Sequence, residues 1–124
     1  MRIAASMKKW VFVDIDQKCS LACALALDTE EKLEFVCFCS KMYNGPFPPQ
    51  STIFRAKGTH KDAADCYFLM TLGAWIADGT IDEKDTVYVM SEDLTWVAAV
   101  EHLKMNCHLN AYSVRSEADP PHNL

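Results

Sequence analysis

The chain has 124 residues, 50% of them hydrophobic and 23% charged, an ordinary globular composition of single-domain size. Its 12 basic and 17 acidic residues leave a net charge of -5. That balance excludes a protein that coats nucleic acid by charge alone, but not a nuclease, whose active site is itself acidic. No apolar run approaches the ~20 residues of a membrane span. Residues 1–9 carry charges without the long apolar stretch of a signal peptide, so a cytoplasmic protein with no membrane partner is expected. The 6 cysteines then read as reduced thiols. Neither Cys19/Cys23 nor Cys37/Cys39 has the spacing of a zinc site, so both pairs are expected to act as small buried hydrophobes. His102 and His108 form no ligand pair with the cysteines and are expected to be ordinary.

In chain order, Trp10–Ile15 is apolar and β-branched and reads as a strand, with Asp14 and Asp16 at its end. Gln17–Leu27, rich in alanine and leucine, reads as a helix. Leu33–Cys39 is nearly all apolar, as a strand covered on both faces should be. Lys41–Gln50 contains Asn44-Gly45 and Pro46, Pro48 and Pro49, and is a loop. Thr52–Arg55 reads as a short strand, Lys61–Ala77 as the strongest helix, Thr86–Met90 as a strand, Asp93–Met105 as a helix and Cys107–Val114 as a last strand. The polar, proline-containing segment 116–124 is expected to be a flexible tail. Strands alternating with helices imply parallel pairing through right-handed crossovers. The expected fold is a three-layer α/β sandwich with a central, mostly parallel sheet, one domain over 1–115.

Ligands of such sheets bind at the carboxyl ends of the strands, near the switch point of strand order. Three segments bring acids there: Asp14 and Asp16 after the first strand, Asp62 and Asp65 opening the long helix, and Asp93 with Ser91 after Thr86–Met90. Asp65 shares a helical face with Leu69, Leu72 and Ile76, with Phe68 adjacent, and that face should pack on the sheet. A carboxylate at the head of a buried stripe requires a partner. Thr59 followed by Asp62 reads as a capping box. Asp16 and Asp93 also suit helix N-termini. Carboxylates about 4 Å apart repel by roughly 4 kcal/mol at an effective dielectric near 20, so a converging set binds protons or a hard cation such as Mg or Mn. Lys18, Lys41, Arg55, Lys57, Lys61 and Arg115 fall beside the same edge and would form a basic rim. Trp75 and Trp96 are expected in the core.

Three stretches resemble the PIN-like nuclease superfamily, especially small bacterial PIN-like and NYN-type domains. VFVDID (Val11–Asp16) is similar to the family's first-strand motif. KDAADCYFLMTLG (Lys61–Gly73) and SEDLTWVAAVEHLK (Ser91–Lys104) are similar to its two later helix motifs, in the family's order and spacing. The resemblance implies a Rossmann-like fold and metal-dependent endoribonuclease activity. It places Asp14, Asp65 and Asp93 as catalytic metal-binding acids with Asp16 as a further metal ligand, Ser91 as a catalytic small polar residue that orients Asp93 or contacts the scissile phosphate, and Gln17 and Asp62 in support. Gln17 and Asp62 stand where the family usually carries asparagine, and no fourth acid is evident near the C-terminus. Mg or Mn would be the cofactor and RNA the partner, with Lys57 and Lys61 on its phosphates. A regulatory protein partner and homo-oligomers are compatible with this class. Two alternatives follow from the same residues. One is a PIN-like RNA-binding or protein-interaction module with little or no catalysis. The other is a haloacid-dehalogenase-like phosphatase, whose DxD motif Asp14-Ile15-Asp16 matches, with one aspartate as nucleophile and the next as acid. Gln17 and Lys18 fit that family poorly.

Overall fold

The computed structural model describes residues 7–121. Residues 1–6, most of the segment weighed as a signal peptide, and the tail's 122–124 lie outside the described residues. The elements run β1 (Lys9–Asp14), α1 (Ile15–Asp28), β2 (Glu34–Cys39), β3 (Thr52–Arg55), α2 (Ala63–Ala77), β4 (Thr86–Met90), α3 (Leu94–Asn106) and β5 (Asn110–Val114). Every expected element is present, with no end shifted by more than three residues and both ends of β3 and β4 unchanged. No helix among the described residues is long and apolar enough to cross a membrane.

The 5 strands pair in the order β3-β2-β1-β4-β5, and all four pairings are parallel. The fold is therefore the three-layer α/β sandwich, with a wholly parallel sheet. Side-chain alternation divides the strands between two cores. Trp10, Phe12, Val36, Phe38, Val87, Val89 and Ala111 face α2 and α3. Val11, Val13, Phe35, Cys37, Cys39, Tyr88 and Met90 face α1. The α2/α3 core is strongly aromatic: Phe68 stacks on Trp96 with centroids 3.8 Å apart and planes 3° from parallel. Side chains of this size stabilise a domain by roughly 1.5–3 kcal/mol each when fully buried. The expected core roles of Trp96 and Trp75 hold, Trp96 wholly buried and Trp75 packed partly buried against the same cluster.

The β2–β3 crossover has no helix. Tyr43 and Phe47 of that proline-rich loop pack beside α1 where a second helix would otherwise cover the sheet. All 6 cysteines are free, and Cys37 and Cys39 share one buried face.

Two local expectations are corrected. The inward stripe of α2 runs through Phe68 and Leu72, while Leu69 is 41% exposed. Leu69 instead lines a groove of about 530 Å³ between α2 and α3, because Phe68 takes the position against Trp96. The Thr59/Asp62 capping box does not form: Asp62 makes no side-chain cap. A turn precedes the helix instead, with the Ala63 N–H donating to the His60 carbonyl at 3.1 Å, so Thr59 lies outside the first helical turn. Of the segment expected as a flexible tail, residues 116–121 are described. Asp119 accepts from the Arg115 and Ser116 N–H groups at 2.8 and 3.2 Å, and Pro121 is buried.

Candidate functional site

Strand order reverses between β1 and β4, so their carboxyl ends bracket the switch point. Asp14 ends β1 and stands two positions beyond Phe12, on the side of the sheet that α2 and α3 cover. Ser91 follows β4 with the parity of Val87 and Val89, so it shares that side. The two meet: Ser91 Oγ donates to Asp14 Oδ2 at 2.9 Å. The same Oγ accepts the Asp93 N–H at 3.0 Å. Asp93 is the N-cap of α3, its Oδ1 accepting the Thr95 N–H at 2.8 Å. One serine thus links the end of β1 to the start of α3.

Asp65, in the first turn of α2, has the partner that its position requires. Trp96 Nε1–H donates to its Oδ1 at 2.6 Å. The residue expected as core is therefore also a positioning residue, and nothing in the local pattern around either residue announces it. Trp96→Phe removes this donor and also leaves a cavity, because a phenyl ring is smaller than the wholly buried indole. It should lower stability by about 2–4 kcal/mol, read as a shifted urea midpoint with an unchanged m-value.

The electrostatics agree with the geometry. Asp14 is only 7% exposed. Burial, with the charges of Asp65, Asp16 and Asp93 behind it, pushes its carboxyl up to about 6 against the Ser91 hydrogen bond. Asp65 is also raised, by burial first and then by Asp93 and Asp62, against the Trp96 hydrogen bond. No lysine or arginine among the described residues forms an ion pair with Asp14, Asp65 or Asp93. Each of the three uses one oxygen on a protein donor and leaves the other without one among the described residues.

The supporting positions divide. Both oxygens of Asp16 accept from Ser40, one from its N–H and one from its hydroxyl, each at 2.7 Å. Asp16 thereby clamps α1 to the end of β2. Gln17 Oε1 accepts the Glu92 N–H at 3.2 Å, tying α1 to the β4–α3 turn. α1 has non-helical backbone at Lys18, directly after it. Asp62 is exposed, and its carboxylate accepts no hydrogen bond among the described residues. Its charge reaches Asp65. Of the expected basic rim, Lys18 pairs with Glu92 at 3.3 Å. Arg55 donates to the carbonyl oxygens of Ser40, Lys41 and Tyr43. Lys41, Lys57 and Lys61 are exposed and have no carboxylate partner among the described residues.

The donor set does not amount to an all-protein cage. No three His, Cys, Asp or Glu side chains among the described residues are grouped to hold one metal ion. The expected four-acid ligand set of Asp14, Asp16, Asp65 and Asp93 is thus not assembled: Asp16 is turned to Ser40, and the other three are not grouped round one point. What does fit is a hard ion of the Mg type, which keeps several waters and takes one or two carboxylates plus substrate phosphate. The oxygens left without protein donors on Asp14, Asp65 and Asp93 are hard donors of that kind, although the three are not grouped round one point. No protein-family model, curated protein or solved structure matches this chain.

Proposed function

We propose that this chain is a metal-dependent ribonuclease, hydrolysing RNA phosphodiester bonds at an aspartate site that takes Mg or Mn. One observation carries the reading: acids from three separate elements, Asp14, Asp65 and Asp93, face one another's charge at the switch point with no protein cation to neutralise them. When bound there, a divalent ion would supply an activated water and charge neutralisation at the leaving oxygen. The chain's own residues do the rest. Asp14 and Asp93, tied through Ser91, and Asp65, fixed by Trp96, would hold the ion, one or two of them directly and the rest through its waters. Ser91 is a positioning residue for both of its neighbours. Lys57 and Lys61 bind flanking phosphates as point charges. Asp16 and Gln17 keep the three elements in register.

The phosphatase alternative requires Asp14 as an accessible nucleophile and Asp16 as a proton donor. The burial of Asp14 and the Ser40 clamp on Asp16 weigh against it. The missing three-ligand group favours the other alternative, an RNA-binding module without catalysis.

The test is cleavage of labelled single-stranded RNA and tRNA by wild type and Asp93→Asn in Mn, in Mg and in EDTA. An asparagine still accepts the Thr95 N–H as an N-cap, so the variant should unfold within about 0.5 kcal/mol of wild type. Cleavage should require metal and fall by at least ~100-fold in the variant. Intact RNA after incubation with folded wild type in Mn would leave the binding module as the reading.

A further inference from the structure

Beside the acidic edge lies a small hollow of about 120 Å³. One wall is Ser40, Lys41 and Met42, after β2. The other is Gly58, Thr59, His60 and Lys61, with Ala64 of α2. It adjoins the site through two of its own residues. Ser40 is the residue that clamps Asp16, and Ala64 immediately precedes Asp65.

Its chemistry is one-sided. None of the lining residues is acidic, in a chain of net charge -5. Lys41 and Lys61 are without carboxylate partners among the described residues. The carbonyls of Ser40 and Lys41, which would repel an anion, are engaged by Arg55. The Asp62 N–H donates to His60 Nδ1 at 3.2 Å. His60 Nδ1 is therefore the acceptor, and its Nε2 is left to donate. Met42 is 82% exposed, and with the small Gly58 and Ala64 it gives the lining an apolar part beside the two lysines. A hollow of this size takes one planar ring and not a stacked pair.

We infer that this hollow is a nucleotide subsite that seats one unstacked base of single-stranded RNA, with Lys41 and Lys61 on the adjoining phosphates. The inference rests on the ribonuclease reading only for the identity of the ligand. A base held inside a duplex cannot enter, because its face is covered by its neighbours and its edge is paired. The subsite therefore selects single strands, and it does so next to Asp65.

Gly58 allows a direct test. It lines the hollow, a Cβ built on it meets nothing within 4 Å, and its φ is not in the left-handed region. Gly58→Leu should plug the hollow without strain. Binding is read by fluorescence anisotropy in EDTA, where metal-dependent cleavage does not interfere, with a labelled 10-nucleotide single strand and with the same sequence as a duplex. Wild type should bind the single strand at least ~10-fold more tightly than the duplex. Gly58→Leu should weaken single-strand binding about 10-fold, a loss of about 1.4 kcal/mol, with an unchanged melting temperature. Lys41→Gln and Lys61→Gln should each reduce the slope of log K against log salt by about 0.7. Lys32→Gln, at the opposite edge, should change nothing. Equal binding of both RNAs, no binding at all, or a folded Gly58→Leu that binds as wild type overturns the subsite. The lysine variants decide the matter should Gly58→Leu not fold. Binding as described without cleavage in Mn overturns the ribonuclease reading and leaves the subsite standing. Cleavage with a silent Gly58→Leu does the reverse.

Discussion

Asp85→Ala is expected to lower the unfolding free energy by about 3 kcal/mol, with a fall in melting temperature on the order of 10 °C. Asp85 sits at the amino-terminal edge of the sheet, away from the acids discussed above, and is only 3% exposed. Its Oδ1 accepts the Lys8 N–H at 2.9 Å. Its Oδ2 accepts the Trp10 Nε1–H at 3.0 Å and the Asp82 N–H at 2.9 Å. Alanine would strand all three donors, and the indole is itself nearly buried, so water cannot easily replace the carboxylate. Asp85→Asn keeps one acceptor oxygen and should lose about half as much. Burial opposes the charge on Asp85, but the hydrogen bonds from Lys8, Trp10 and Asp82 outweigh it and hold the carboxyl below its ordinary 3.8. A depressed folded-state pKa stabilises the fold above the unfolded value, and that contribution is lost as pH falls through the folded one. The margin of wild type over Asp85→Asn should therefore be full above about pH 5 and shrink on acidification below 3.8. Urea titrations of both proteins at pH 7 and pH 3 measure it. An equal margin at both values would mean that the carboxylate charge contributes nothing.

Asp85 also marks a boundary of what the sequence discloses. In the chain it stands in the acidic run Asp82, Glu83, Lys84, Asp85, which reads as a solvated edge. Its partner Trp10 is 75 positions away, and no local pattern encodes a pairing at that distance. The Asp65–Trp96 bond spans 31 positions and was hidden for the same reason. Local periodicity, by contrast, carried the architecture. The apolar run of β2 announced a strand covered on both faces, and side-chain alternation along β1 puts Asp14 on the α2/α3 side of the sheet. The position of Asp14, Asp65, Ser91 and Asp93 at one edge was legible because strand–helix alternation fixes which loops share an edge. Their oxygens' partners were not legible. Asp16 is adjacent in sequence to the site, yet Ser40 takes both of its oxygens. Thr59 and Asp62 have capping-box spacing, yet the turn at His60 starts the helix too late for it. Spacing sets which side chains are near one another, and the long-range donors decide which carboxylates remain free.

The free carboxylates lead to a result of opposite sign to that at Asp85. Asp14→Asn should stabilise the protein at neutral pH by on the order of 2 kcal/mol while abolishing metal-dependent cleavage. In the folded state burial and the charges of Asp65, Asp16 and Asp93 raise the Asp14 carboxyl from 3.8 to about 6. A raised folded-state pKa means that the folded chain binds the proton more tightly than the unfolded one. The stability associated with protonated Asp14 is thus complete below 3.8 and lost as pH rises to about 6. Above that, the wild-type fold carries a desolvated charge among like charges. Asparagine has the same shape, still accepts from Ser91 Oγ and does not titrate. The two proteins should be nearly equal in stability at about pH 3.5, and the variant should lead at pH 8. Other groups titrate in the same window, Asp65 among them, but they are common to both proteins and largely cancel in the difference. Millimolar Mn should narrow the gap by stabilising wild type alone, because an ion that binds only the folded acids adds RT ln(1 + [L]/Kd). A difference between the two proteins that stays flat from pH 3.5 to 8 would remove the perturbed carboxylate. A wild type indifferent to Mn would remove the cation. The pairing of gained stability with lost activity at one atom's substitution is the behaviour of a residue held in a costly state for chemistry, and a purely structural aspartate such as Asp85 shows the reverse.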